Sequence, residues 1–320
     1  MEHLTLPRTD LRVSSLCLGT AEYGAGIAQG EVEAMLDRFV GEGGNFLDTA
    51  AVYADWTPAG KGSSERAIGA WLRFRGGTQI VIASKGAHPE LHSMAIGRMT
   101  RDDIEFDLNA SLKNLGRETV DLWYLHRDDP SVPVEEVLEI LEDQKRAGKL
   151  RFYACSNWHT KRIEQAEAAA QKMGATGFVA NQPMWSLAQP DLTGSDPTLA
   201  VMDDELLDWH TKSGVAAIPY SSQANGFFQK IAEGRPVTTA LVNYETDLVR
   251  ASNHARFARL ETMSEETGLS FTQLVLGFLR GHEFPVVPII GSRNMEQLND
   301  SLSGADVKLS REQVEVLEAL

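Results

Sequence analysis

Several polar side chains stand where short apolar runs stop. Asp48 closes the run at 45–48, Lys85 the run at 80–85 and His126 the run at 120–126; Ser156 and Asn157 end the run at 151–156, and Gln182 the run at 178–182. Tyr53 follows Asp48 in the segment Thr49-Ala50-Ala51-Val52-Tyr53. A free phenol has a pKa of about 10 and is a poor proton donor near neutrality. A neighbouring ammonium favours the phenolate and lowers that value. Lys85 can supply the ammonium, Asp48 can hold Lys85 charged by an ion pair, and His126 can orient a carbonyl by hydrogen bonding. Together they make a general acid with electrostatic support for an oxygen that gains negative charge. Each residue taken alone has an ordinary reading: Asp48 caps a turn, Lys85 is solvated, His126 is a satisfied core histidine. Their joint placement at the ends of successive runs is what argues for a site.

The elements that must gather these residues follow from the alternation of apolar runs with helical periodicity. Eight candidate strands are expected, at 15–19, 45–48, 80–85, 120–126, 151–156, 178–182, 215–220 and 286–290. Helix candidates with apolar residues at three- and four-residue spacing lie at 31–40, 64–74, 102–115, 134–147 and 163–172. Ser63 and Ser64 before Glu65, Thr100 before Asp103, and Gly148 and Gly174 after basic residues read as helix boundaries. Eight strands alternating with helices have the rhythm of a closed (β/α)8 TIM barrel in one domain spanning residues 1–320. A doubly wound open sheet is the alternative, because periodicity alone does not show closure. In a barrel the carboxyl ends of all strands share one mouth. The aperiodic segments 183–202 and 223–253 are expected to wall it.

With 320 residues and 42% apolar composition, the chain can bury a large core. Its start lacks a basic patch followed by an apolar run, and no stretch is long enough to span a bilayer, so a soluble, cytoplasmic protein is expected. Cys17 and Cys155, its only cysteines, lie in apolar runs and read as buried, reduced thiols. A formal net charge of −15 disfavours nucleic acid or an anionic membrane as partner. His88 and His92 have the spacing of a metal pair, but Pro89 interrupts a helix there and no third ligand follows, so no metal is expected. Gly41-Glu42-Gly43-Gly44 precedes a strand instead of following one and reads as a helix end, and Gly60-Lys61-Gly62-Ser63 is not a P-loop.

The segments Asn45 to Tyr53, Ile82-Ala83-Ser84-Lys85, Asp121 to His126, Tyr153-Ala154-Cys155-Ser156-Asn157 and Asn181-Gln182 resemble the successive motifs of the aldo-keto reductases, from about Leu16 to about Ser303. The resemblance implies a (β/α)8 barrel that binds NADP(H), with NAD(H) as the alternative, and carries no Rossmann domain. It implies a catalytic tetrad at Asp48, Tyr53, Lys85 and His126. It places Ser156, Asn157 and Gln182 on the nicotinamide carboxamide and Tyr220 against the ring. Ser221, Gln223 and Asn225 fall in the loop along the pyrophosphate, with Gln223 where leucine is common. Gly291, Ser292 and Arg293 fall at the 2′-phosphate; Gln297 stands where arginine is frequent and Ser301 where asparagine is. Gly19 and Thr20, ending the first strand, join the cofactor set.

The reaction so implied is reduction of an aldehyde, ketone or sugar-like carbonyl to an alcohol, or its reverse, with Tyr53 as general acid or base. Expected pocket walls are Tyr23, Trp56, His88, Arg127, Trp158, Trp185 and Phe227, a mixture of aromatic faces and polar groups. With His88, Asp128 and Asp129 near the mouth, the reading leans toward a polyhydroxylated carbonyl. Two other classes compete: a cofactor-binding regulatory subunit with little turnover, and a Schiff-base aldolase using Lys85. The latter leaves Tyr53, Asn157, Gln182 and Arg293 unexplained. Physiological substrate, reaction direction and oligomeric state are not legible.

Overall fold

The computed structural model describes residues 1–74, 79–237 and 242–319. The chain opens with an antiparallel hairpin, β1 (His3–Thr5) and β2 (Arg12–Ser14), that the sequence reading does not anticipate. Eight parallel strands follow: β3 (Cys17–Gly19), β4 (Phe46–Asp48), β5 (Val81–Gly86), β6 (Val120–Leu125), β7 (Leu150–Ser156), β8 (Ala180–Gln182), β9 (Ala216–Ala217) and β10 (Ile289–Gly291). They pair in the order β10-β3-β4-β5-β6-β7-β8-β9. The two ends of that order also meet. The Ala217 amide donates to the Pro285 carbonyl, and the amides of Val287 and Ile289 donate to the carbonyls of Ala217 and Pro219, each at 2.9 Å. The sheet is therefore a closed (β/α)8 barrel, and the open-sheet alternative is set aside. All eight expected strands are present.

Side chains alternate across a strand, and that parity connects sequence to site. Phe46, Val81, Ala83, Leu122, Tyr124, Ala154, Ala180, Ala216, Ile218, Val287 and Ile289 form one buried cluster inside the barrel. Two residues further along their strands stand Asp48, Lys85, His126, Ser156, Gln182, Tyr220 and Gly291. The period of two that fills the interior thus sends the polar residues to the mouth. Leu6, Leu11 and Val13 of the hairpin belong to the same cluster and plug the opposite end.

The helices are α1 (Gln29–Gly41), α2 (Ser63–Leu72), α3 (Arg101–Leu115), α4 (Val134–Arg146), α5 (Thr160–Met173), α6 (Asp204–Ser213), α7 (Phe227–Ala232), α8 (Arg250–Thr267), α9 (Phe271–Arg280), α10 (Met295–Leu302) and α11 (Arg311–Glu318). In α4 the buried residues Val134, Val137, Leu138 and Leu141 repeat at helical spacing and face the sheet. Thr100 caps α3 by accepting from the Asp103 amide, and Gly116 ends it in the left-handed conformation. At α2 the serines do not act as expected: Gly62 is the cap, Ser63 Oγ donates back to the Gly60 carbonyl, and Ser64 is buried against Thr20. Segment 223–253 is more ordered than its aperiodicity implies, since it holds a 3-10 turn at Ala224–Gly226, α7 and the start of α8; residues 238–241 lie outside the described residues. Both cysteines are buried and free. Among the described residues, no helix is long and apolar enough to cross a membrane.

Candidate active site

Lys85 is the hub. Its Nζ donates to Asp48 Oδ1 at 2.5 Å, Tyr53 Oη at 2.9 Å and the Thr49 carbonyl at 3.0 Å. An ammonium has three donors and no acceptor, so each proton is used. Gln182 Nε2 donates to the second carboxylate oxygen, Asp48 Oδ2, at 2.9 Å. The Lys85 and Asp48 side chains are 0% and 2% exposed. A charge pair buried this deeply survives only with good geometry and satisfied lone pairs, which Thr49, Tyr53 and Gln182 supply.

Tyr53 reaches the hub because the chain beyond β4 keeps pairing with β5. The amides of Thr49 and Ala51 donate to the carbonyls of Ala83 and Lys85, and the chain then turns so that the Tyr53 amide bonds the Ala50 carbonyl. Burial, with the Asp48 carboxylate beside it, pushes the Tyr53 phenol well above its ordinary pKa. This corrects the lowering expected from Lys85: desolvation of the phenolate outweighs the ammonium. Burial also pulls the Lys85 ammonium down, against the opposing pull of Asp48. Tyr53 is thus a neutral phenol that accepts one hydrogen bond from Lys85, and its 3.4 Å contact with Asp48 Oδ1 is long.

The His126 ring stands edge-on to Tyr53, 6.0 Å between centroids, and 4.8 Å from His88. Burial and the neighbouring His88 hold its pKa well below 6.5, so it is neutral. Its Nδ1 is buried without a partner. A lone pair there is cheaper than a bare buried N–H, so the proton belongs on Nε2, where it can be donated to a ligand oxygen.

Round the mouth, Ser156 Oγ donates to the Gln182 carbonyl at 2.8 Å. Asn157 is left-handed (φ 59°); its Nδ2 donates to the His126 carbonyl, and its Oδ1 accepts from Tyr220 Oη at 2.7 Å. Ser221, Ala224 and Asn225 have φ of 55°, 47° and 54°, a run of non-glycine left-handed residues of the kind that clusters at ligand clamps. Gln223 Oε1 accepts from Ser301 Oγ at 3.2 Å, tying that loop to α10. At the start of α10 the Arg293 amide donates to Gln297 Oε1, and the guanidinium, 73% exposed, lies 3.6 Å from Glu22. Ser292 Oγ is buried with no partner. Thr20 is fully buried and donates to the Asp48 carbonyl, while Gly19 lets β3 approach Ile289, which a Cβ would meet at 2.7 Å.

The expected pocket walls separate into two groups. Trp56, 52% exposed and edge-on to Tyr53 at 6.3 Å, and His88 stand beside the tetrad. Trp158 is buried against Phe178 and Arg162, Trp185 against Phe278, His282 and Phe284, and Phe227 against Phe228 and Tyr244. These three rings are packed among core residues, with Trp185 at 8% exposure no more buried than His126. Strand parity explains this: Trp158 and Trp185 lie beyond the strand ends, where alternation no longer fixes direction. Tyr23 is likewise fully buried. Arg127 spends its guanidinium on Thr198, Asp196 and the His126 carbonyl. Asp128 Oδ1 pairs with Arg162, and Asp129 Oδ1 accepts from Ser131. Among the described residues no group of three or more His, Cys, Asp or Glu is arranged to hold a metal.

Sequence reasoning missed how the residues after Lys85 are fixed. Ala87 is left-handed (φ 58°), its amide donates to Asp107 at 2.9 Å, and Arg98 grips Asp107. Pro89 was the visible signal that this stretch is not helical.

A closed parallel barrel that gathers a carboxylate, an ammonium, a phenol and an imidazole at the carboxyl ends of its strands is built as barrel enzymes are. The chain belongs to the aldo/keto reductase family, whose profile matches residues 15–320. It is 27% identical to an uncharacterized oxidoreductase, YrpG, of Bacillus subtilis (99% of this chain, 95% of that one). It is 29% identical to norsolorinic acid reductase stcV of Emericella nidulans (98% and 79%) and 28% identical to an aryl-alcohol dehydrogenase [NADP(+)] of Phanerodontia chrysosporium (97% and 83%). Among solved structures, the thermostable aldo-keto reductase Tm1743, crystallised with the inhibitor epalrestat, superposes with a TM-score of 0.73 at 23% identity, covering 100% of this chain and 99% of that one.

Proposed function

We propose that this chain is an NADP(H)-dependent oxidoreductase that interconverts a carbonyl and an alcohol, with Tyr53 as the group that gives and takes the proton. The observation that carries the reading is the saturated Lys85 hub: all three of its donors are engaged, one of them on Tyr53 Oη. When the phenol proton leaves for a ligand oxygen, the phenolate stays hydrogen-bonded to an ammonium already in place, and nothing has to reorganise. The raised phenol pKa keeps Tyr53 protonated, as a donor requires. His126, neutral and protonated on Nε2, donates to the same ligand oxygen. The buried, fully engaged Nζ also argues against an aldolase, whose lysine must be a free amine.

The cofactor supplies the hydride. Ser292 Oγ, orphaned beside the exposed Arg293 guanidinium at the N-terminus of α10, fits a phosphate. Asn157, Gln182 and Tyr220 are proposed for the nicotinamide end; Ser156 braces Gln182, while Ser221, Gln223 and Asn225 lie between the two ends. The half-exposed Trp56 indole beside Tyr53 offers a flat face to a ring or sugar.

Replacing Tyr53 with Phe is expected to lower turnover about a hundred- to ten-thousandfold while NADPH binding, followed by its fluorescence, persists. Undiminished turnover in Y53F would remove the assignment. Single-turnover oxidation of bound NADPH by a carbonyl panel separates the enzyme from a regulatory subunit of the same fold.

A further inference from the structure

His88 takes no part in the proton relay, yet the chain holds it firmly. The preceding Ala87 has the left-handed φ that a residue with a Cβ adopts at a cost. Its amide is fixed on Asp107, and Arg98, which grips Asp107, also donates to the His88 carbonyl at 3.1 Å. The peptide is therefore clamped on both sides. The ring is 7% exposed, with Nδ1 2.6 Å from the Pro89 carbonyl oxygen. That oxygen can only accept, so Nδ1 carries the proton and Nε2 is left with a lone pair. Burial pulls the ring's pKa down to about 4, so Nε2 does not become a second donor near neutrality. The charged groups that act on it are Arg127 and Lys61, which lower the pKa further, and Asp196, which raises it. Among the described residues nothing hydrogen-bonds Nε2, and the ring sits 4.8 Å from that of His126.

We propose that His88 is a specificity residue whose Nε2 accepts a hydrogen bond from a hydroxyl adjacent to the reacting carbonyl, so that the site selects hydroxy-carbonyl compounds over their deoxy counterparts. The inference rests on the reductase reading above. A donor on His126 beside an acceptor on His88 matches the alternating acceptor and donor of a carbonyl with a vicinal hydroxyl. A deoxy substrate covers that acceptor without pairing it, which is how a site built to bond a hydroxyl rejects the analogue that lacks one. His88 is the mouth residue from the expected pocket walls whose one free polar atom has this single chemistry.

The test is kcat/KM with NADPH for matched pairs: 2-hydroxyacetophenone against acetophenone, and 2-hydroxypropanal against propanal. The wild-type enzyme is expected to favour the hydroxylated member of each pair by about tenfold or more. His88→Leu brings the ratio to about one, and His88→Gln, which keeps an acceptor, restores part of it; thermal melting checks that both variants fold. A wild-type ratio near one, or a ratio that survives in H88L, overturns the proposal while leaving the reductase reading intact. Absence of hydride transfer to any of the four compounds, with NADPH bound, overturns both.

Discussion

On the β4–β6 side of the mouth every proton of Lys85 has an acceptor and both Asp48 oxygens are engaged, whereas on the β10–α10 side Ser292 Oγ is buried without a partner and the Arg293 guanidinium reaches solvent. The Lys85–Asp48 pair is satisfied within the protein. The β10–α10 side leaves donors that an anion would satisfy. Electrostatic groups fixed before the reaction cost nothing to arrange during it, while donors left unpaired give a ligand something to gain on binding. Under the proposed function, the contrast fits proton transfer at the Lys85 hub and binding of the cofactor's phosphate at the start of α10.

That division breaks most visibly at the hub. Lys85→Met removes the ammonium that supports the Tyr53 phenolate and is expected to lower turnover roughly a hundred- to thousandfold. It also strands Asp48 in the interior, at a cost of about 3–5 kcal/mol in stability, read by urea unfolding. NADPH binding, which the proposed function anchors at Ser292 and Arg293, should largely persist; its loss would show that the hub and the phosphate end are not separable.

A smaller effect comes from pH. Burial pulls His88, and His210 in the outer layer, from 6.5 to about 4. Below the unfolded value the unfolded chain binds protons that the folded chain refuses, so these groups contribute stability above pH 6.5 and lose it as pH falls toward 4. Between pH 7 and 5 each should cost about 2 kcal/mol. His88→Gln should flatten the slope by about one group's share; an unchanged slope in H88Q would mean that His88 is not held neutral.

The preformed side is also the side that was legible in the sequence. Asp48, Lys85, His126 and Gln182 end apolar runs, and strand parity carries them from the barrel interior to the mouth without further information. Tyr53 was placed by its motif, and its geometry follows from β4 pairing past its own end with β5. Where parity lapses, the reading lapses with it. Trp158, Trp185 and Phe227 have the composition of a pocket wall but lie in loops or at a helix start, where packing and not alternation sets direction, and each packs within a core cluster. The hairpin at His3–Thr5 and Arg12–Ser14 was missed because each strand carries a single apolar residue, Leu4 or Val13, and so forms no apolar run. The rise of the Tyr53 pKa was missed because sequence names the neighbouring charges but not the depth of burial.

The smallest predicted effect tests the incomplete side. Arg293 is the basic residue of the Gly291-Ser292-Arg293 segment, and Gln297, where a second arginine is frequent in the family, spends its side-chain oxygen on the Arg293 amide. The guanidinium's present partner, Glu22 at 3.6 Å, is an exposed ion pair of the kind worth less than about 1 kcal/mol, so turning to a phosphate forfeits little. A charge-assisted bond to phosphate is worth roughly twice a neutral one. Arg293→Ala is therefore expected to weaken NADPH binding about tenfold while leaving NADH nearly unchanged, measured by fluorescence titration of both cofactors. The selectivity lost would be the 2′-phosphate's alone. Equal weakening for the two cofactors would instead place Arg293 on a part they share and erase the division of the mouth drawn above.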